Sequence, residues 1–147
     1  MNIVYKKILV PVDGSTNSLR ALSHAVALAR SFNAEINILY VSALSQQVPL
    51  PDQVKGFKIP ANSSTDPVSF AKKIIAETLK FVPAGIRVQT HDEMGEPRTA
   101  ITEFAEQNSC DVIVMGSRGL GVIKGLLLGS VSTYVIRNSK CPVMIVR

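Results

Sequence analysis

Four times along this chain a short apolar run gives way to a stretch of helical periodicity, and each stretch leads to another run. The first run, Lys7 to Val12, is apolar almost throughout. A half-covered strand alternates polar and apolar residues; a near-continuous run suits a strand buried on both faces, as in a parallel sheet. After Asp13-Gly14-Ser15 the period changes. Leu19, Leu22, Val26 and Ala29 fall at helical spacing, widened by Ala25 and Leu28, with Ser15 or Thr16 as N-cap and an end near Phe32. Further strands are expected over Glu35–Val41, Arg87–Glu93, Asp111–Met115 and Pro142–Val146. Helices are expected over Val68–Val82, led by Asp66-Pro67, then Pro97–Gln107 and Ser130–Asn138. Each crossover is long enough to join parallel strands. The alternation predicts a three-layer α/β fold, with five parallel strands and four helices on the two faces of the sheet.

The 147 residues suit a single domain over 1–147. With 46% hydrophobic and 18% charged residues the chain is too apolar for global disorder. No apolar run approaches the roughly 18 residues a membrane helix needs, and the N-terminal stretch lacks a signal-peptide pattern. Two cysteines make no disulfide framework, so a reduced cytoplasm is the expected location. Residues 42–66 break the rhythm: they carry Pro49, Pro51 and Pro60 without strong periodicity and read as a long flexible insertion, either disordered, a lid or an oligomer contact.

The net charge is +5, and +4 of it falls between Asn108 and Arg147, where Arg118, Lys124, Arg137, Lys140 and Arg147 face one acid, Asp111. Nucleic-acid readers show denser basic stripes with interleaved aromatics, and aromatics are only 5% here, so no nucleic-acid partner is expected. A slightly basic surface and a small anionic ligand near this end remain the two readings.

The glycines sharpen the second reading. Five of nine lie between Gly116 and Gly129, after an apolar strand and before a helix. Glycine permits positive φ and brings backbone N–H groups close to a ligand, and a helix N-terminus favours anions. Ser130 and Ser132 add hydroxyls at that helix start. The Walker pattern fails because Val122, not lysine, follows Gly121; the dinucleotide pattern fails because Gly125 comes one position late. The spacing that does fit is G-x2-G-x9-G-[ST], with Gly116, Gly119, Gly129 and Ser130.

Taken together, Ile8 to Ser15, the turn Gly95-Glu96-Pro97, Asp111 to Gly119, Leu128 to Ser132 and Cys141-Pro142-Val143 resemble the universal stress proteins over essentially the whole chain. The resemblance implies a Rossmann-like, adenine nucleotide alpha hydrolase-like sheet of strand order 3-2-1-4-5, usually in a homodimer. The intact glycine motif is similar to that of the ATP-binding branch. In that order the chain reverses direction between strands 1 and 4, where ligands bind beyond the strands' carboxyl ends. Strand 1 ends at Pro11, Val12 and Asp13, and strand 4 at Met115 and Gly116. The resemblance places adenine against the backbone of Val41 and the nucleotide near Asp13. Gly116, Arg118, Gly119, Gly129, Ser130, Val131 and Ser132 would bracket ribose and phosphates. Asp13 also reads as an N-cap for the first helix. By itself it makes no metal site, so Mg or Mn is expected only on the phosphates.

The remaining polar residues read as structural. His24 and His91 lack ligand-spaced partners, and no G-x-S-x-G elbow marks a serine hydrolase. Cys110 and Cys141 precede strands 4 and 5 and read as small buried thiols. Ile74, Ile75 and Leu79, and Leu126, Leu127 and Leu128, read as core. The function expected is an ATP-binding stress-response module. The alternative is a slow ATPase or nucleotidyl-transferring enzyme, for which Asp13, Arg118 and Lys124 are candidates but no base is assured. The C-terminal strand, Pro142 to Val146, would be an edge with no charge before Arg147, open to antiparallel pairing in a homodimer.

Overall fold

The computed structural model describes residues 1–43, 55–56, 66–119, 125 and 127–147. Within them the chain runs β1 (Lys7–Pro11), α1 (Thr16–Phe32), β2 (Glu35–Ala43), α2 (Pro67–Leu79), β3 (Val88–Gly95), α3 (Pro97–Gln107), β4 (Val112–Gly116), α4 (Ser130–Asn138) and β5 (Val143–Val146). All pairings are parallel, and the order is β3-β2-β1-β4-β5.

Alternate residues of the central strands serve opposite faces, which divides the core in two. Ile8, Val10, Ile36, Ile38, Val112 and Val114 pack under α1 and α2, meeting Leu22, Ala25, Val26, Phe70 and Ile74. Leu9, Leu39, Ile113 and Met115 pack under α3 and α4, meeting Ile101, Phe104 and Val135. Residues 8–10 are fully buried, which accounts for the unbroken apolar run at the start of the sequence. The two helix pairs lie on opposite faces because the crossovers step in opposite directions across the sheet while keeping one hand.

Several boundaries move. Helix α2 stops at Leu79 rather than Val82, since Pro83 disfavours helical backbone just before it. Val82 still packs against the core, from the turn that follows. Strand β2 runs two residues further, to Ala43, and β3 spans Val88–Gly95. Leu127, expected in the core, is 65% exposed. Leu126 and Lys124 lie outside the described residues, as do residues 44–54 and 57–65 of the long insertion. Lys55 and Gly56 lie against the loop after β1: Gly56 N–H donates to the Gly14 carbonyl at 2.8 Å, and Thr16 Oγ1 to the Lys55 carbonyl at 3.4 Å.

Candidate functional site

The sheet order reverses between β1 and β4, so the loops leaving their carboxyl ends go to opposite faces and leave a crevice between them. A cleft of about 260 Å³ lies there. Its lining includes Pro11, Val12, Asp13, Val41, Met115, Gly116, Arg118, Gly119, Gly129, Ser130, Val131 and Ser132. Every nucleotide-binding candidate named from the sequence therefore lines one cleft, while Lys124, a candidate for hydrolysis, lies outside the described residues.

The first wall is the Asp13-Gly14-Ser15 turn. Gly14 has φ 83°, a left-handed conformation that glycine adopts without steric cost. Asp13 Oδ1 accepts the Ser15 N–H at 2.9 Å, while Ser15 Oγ accepts the Ser18 N–H at 3.1 Å as the N-cap of α1. Ser15 thus performs the capping for which Asp13 was the alternative; Asp13 braces the turn one step earlier and presents Oδ2 toward Gly119.

The second wall is the start of α4. Gly129 is its N-cap with extended backbone (φ −77°, ψ 170°) and supplies no side-chain cap. The first intrahelical bond joins the Thr133 N–H to the Gly129 carbonyl at 3.0 Å. The N–H groups of Ser130, Val131 and Ser132 come before it, and among the described residues none has an acceptor. Three donors at the positive end of a helix dipole form a cradle for an anion. Ser132 does not add its hydroxyl to that cradle, as the sequence suggested. It is buried, and Oγ donates to the Ser117 carbonyl at 2.8 Å, with the Gly129 carbonyl at 3.1 Å. The Gly129 N–H donates to the same Ser117 oxygen at 2.7 Å, so Ser132 ties the strand end to the helix start.

Gly116 and Gly119 serve by leaving room rather than by turning. Neither Gly119 nor Gly129 has the left-handed φ that the sequence reading assigned to this loop, but Gly125 does, at 90°. A Cβ on Gly119 would sit 2.4 Å from Asp13 Oδ2, and one on Gly116 would sit 2.8 Å from the Cβ of Asn17 on α1. Asn17 Nδ2 in turn donates to the Arg118 carbonyl at 3.3 Å. Arg118 lines the cleft, and its Nε is buried with no hydrogen-bond partner among the described residues, a state that costs free energy until an acceptor is supplied.

The inner end of the cleft is apolar, lined by Leu39, Val41, Pro97, Ile101 and Met115. The β1–β2 register ends at Pro11↔Leu39, and the Val12 N–H reaches the Leu39 carbonyl at 2.9 Å. By the two-residue strand period, the Val41 N–H and C=O point to the same side as those of Leu39, into the gap where β1 has ended. A flat heterocycle with a donor and an acceptor on one edge suits that position.

Residues 4–147 match the model of the universal stress protein family. The chain belongs to that family. It is 39% identical to a universal stress protein of Methanocaldococcus jannaschii, over 98% of this chain and 83% of the relative. Among solved structures it is similar to the universal stress protein UspA of Lactobacillus plantarum, with 28% identity, a TM-score of 0.77 and 99% and 100% of the two chains covered. Another, a universal stress protein in complex with cAMP, is 30% identical with a TM-score of 0.70, covering 99% and 98%.

In this universal stress protein the residues that sequence reasoning missed are Ser15, read only as a cap, Ser18, Leu39, Pro97 and Ile101 in the cleft lining and Asn17 behind it. Pro97 carried a signal, the Gly95-Glu96-Pro97 turn; the others look like ordinary helix and strand residues. The histidines and cysteines lie outside this cleft lining. His24 is exposed on α1. His91 Nε2 lies 2.9 Å from Asn37 Oδ1, with its ring 4.6 Å from that of Phe104. Burial, with Cys141 close by, pushes the Cys110 thiol up to about 11, far from the range of a reactive thiolate. Burial, with Asp13 and Asp92 near, pushes Tyr40 up to about 12. Among the described residues no three His, Cys, Asp or Glu side chains gather as metal ligands, and no helix is long and apolar enough to cross a membrane.

Proposed function

We propose that this protein is a single-domain, cytoplasmic, ATP-binding module of stress response, whose occupancy alters its shape or its contacts. One observation carries the reading: at the sheet's switch point, a backbone-edged apolar slot adjoins three N–H groups and a buried guanidinium nitrogen that have no partner among the described residues. The slot suits adenine, and the N–H cradle with Arg118 suits phosphates. Asp13 is the one carboxylate among the described lining residues, so Mg or Mn would be held mainly by the phosphates themselves. The relative solved with cAMP supports an adenine ligand for this fold. Denaturing the purified protein and weighing the released small molecules tests the reading. ATP or ADP at close to one per chain is the expected result. No released nucleotide, together with no calorimetric response to added ATP, would refute it.

A homodimer through β5 belongs to the same proposal. The strand is an edge, its Met144 is 36% exposed, and Ile136 on α4 is 45% exposed. The Pro142 carbonyl accepts from Ile113 and the Val146 carbonyl from Ser117, so even-numbered residues face β4. The Ile145 N–H therefore points outward. Ile145→Pro removes an outward donor, whereas Val146→Pro would disturb the internal ladder. Light scattering should give about twice the 15.9 kDa chain mass for the parent and about the single-chain mass for Ile145→Pro. A parent that stays at one chain mass at high micromolar concentration rules the dimer out.

A further inference from the structure

The nucleotide cleft does not end at the cradle. A second cleft of about 530 Å³ adjoins it, and the two share Arg118, Gly119, Gly129 and Ser130 along a common edge. Its remaining described lining has a different character. Arg98 comes from the first turn of α3, and Thr133, Tyr134 and Arg137 from α4, with Leu128 and Asn138 completing it. Three guanidiniums thus surround one cavity, and none of its described lining residues is acidic. The first cleft, by contrast, balances Arg118 against Asp13. Two of the five bases that follow Asn108 in the sequence, Arg118 and Arg137, line it, and Arg98 joins them from α3.

Among the described residues one weak ion pair is all that neutralises these arginines. The Arg98 guanidinium lies 5.5 Å from the centre of the Tyr134 ring, and its Nε is 3.5 Å from Glu96 Oε1. That ion pair is half exposed on both sides and so binds Arg98 weakly. Arg118 brings the Nε that lacks a partner among the described residues. Arg137, in the last turn of α4, is exposed, and its charge suits the negative end of that helix. A helix-capping role accounts for Arg137 alone; it does not account for Arg98 and Arg118 converging on the same cavity. Guanidiniums favour phosphate because their planar fork donates two hydrogen bonds to it. The first cleft, at about 260 Å³, is already slightly smaller than the roughly 300 Å³ at the low end of small-molecule sites. A phosphate chain that outgrows it can continue into this adjoining cleft, which its described lining makes cationic.

We infer that the Arg98–Arg118–Arg137 cleft is a second anion subsite that takes phosphate groups beyond those of ATP. Its occupant is the distal part of a longer chain, whether carried on a nucleotide or free as polyphosphate. For the nucleotide-borne source the inference rests on the reading proposed above; for free polyphosphate it does not.

Calorimetry in low salt without divalent ions tests it, using ATP, adenosine 5′-tetraphosphate and inorganic tripolyphosphate on the parent and on Arg98→Gln, Arg137→Gln and the double variant. Adenosine tetraphosphate should bind the parent about ten-fold tighter than ATP, as one added charge-assisted contact implies. The double variant should lose that margin while its affinity for ATP stays within about two-fold and its melting curve is unchanged, which a purely structural arginine would not do. If neither nucleotide binds, the nucleotide reading fails, but tripolyphosphate binding that falls about ten-fold in the double variant still supports the subsite. If tripolyphosphate binds as before alongside saturating AMP, free polyphosphate is the source; if it binds only when AMP is absent and the tetraphosphate keeps its margin, the nucleotide tail is. A tetraphosphate no tighter than ATP, with tripolyphosphate binding absent or indifferent to both substitutions, overturns the inference.

Discussion

Helices α1 and α4 both begin at the mouth of the same cleft, and they begin differently. Helix α1 is closed: Ser15 Oγ takes the Ser18 N–H, and Asp13 takes the Ser15 N–H one step earlier. Helix α4 is open: Gly129 brings no side chain, and the one hydroxyl buried beneath it, on Ser132, is spent on the Ser117 carbonyl. Any of several residues at position 129 would cap α4, since serine, threonine, aspartate and asparagine all do so better than glycine. The absence of a cap leaves three N–H groups for a ligand. Two helix starts of the same fold thus divide into a capped terminus and an open one.

The largest expected effect comes from closing the open terminus. Gly129→Asp has the extended backbone an N-cap needs, and a Cβ there meets its nearest neighbour, the Ser117 carbonyl, at an ordinary 3.5 Å. The carboxylate would take the cradle's N–H groups and repel phosphate. Calorimetry should show ATP affinity down by about a hundred-fold or more, because a like charge at a binding site costs several kcal/mol. Melting temperature should hold or rise slightly. A variant that still binds ATP at parental strength would mean that the α4 start is not the phosphate site.

Gly119→Val should be nearly as severe for binding but, unlike the aspartate, should also reduce stability. Its Cβ has to displace Asp13, 2.4 Å away. Loss of binding with no fall in melting temperature would show that Asp13 moves freely and that the contact is unimportant. Removing the cap of the closed terminus separates the two functions the other way. Ser15→Ala should cost about 1 kcal/mol of stability, lowering the melting temperature by about 3 °C, with ATP affinity within a few-fold of the parent. If affinity falls more than stability, α1 is no mere scaffold. The smallest change is expected from Val41→Ala. When a ligand is read by strand backbone, the side chain contributes only its apolar contact, so affinity should fall about three-fold or less, and Asp13→Ala should cost more. The reverse ranking would move the adenine away from Val41.

Much of this was legible from local pattern. The bounds of α3 and α4, the start and end of α1, and all five strands to within a few residues follow from apolar periodicity and from caps, because those interactions lie within a few residues of each other. The glycine spacing marked the anion site for the same reason: a strand, a glycine loop and a helix start are neighbours in sequence. Strand order was not readable from the pattern and rested on resemblance, since pairing depends on which crossovers step left or right across the sheet.

What only the tertiary structure decided are the meetings between distant segments. Gly116 lacks a side chain because Asn17, a hundred residues earlier, passes against it; Gly119 because Asp13 does. Composition shows a basic C-terminal third, but not that Arg98 from another helix joins Arg118 and Arg137 around one cavity. The outward direction of the Ile145 N–H, likewise, depends on which register β5 takes against β4. The physical reason is the same in each case. Local sequence sets backbone conformation through sterics and hydrogen bonds within a turn or two, whereas the approach of residues far apart in the chain is set by burying one sheet between two helical layers, and that packing is solved by the whole chain at once.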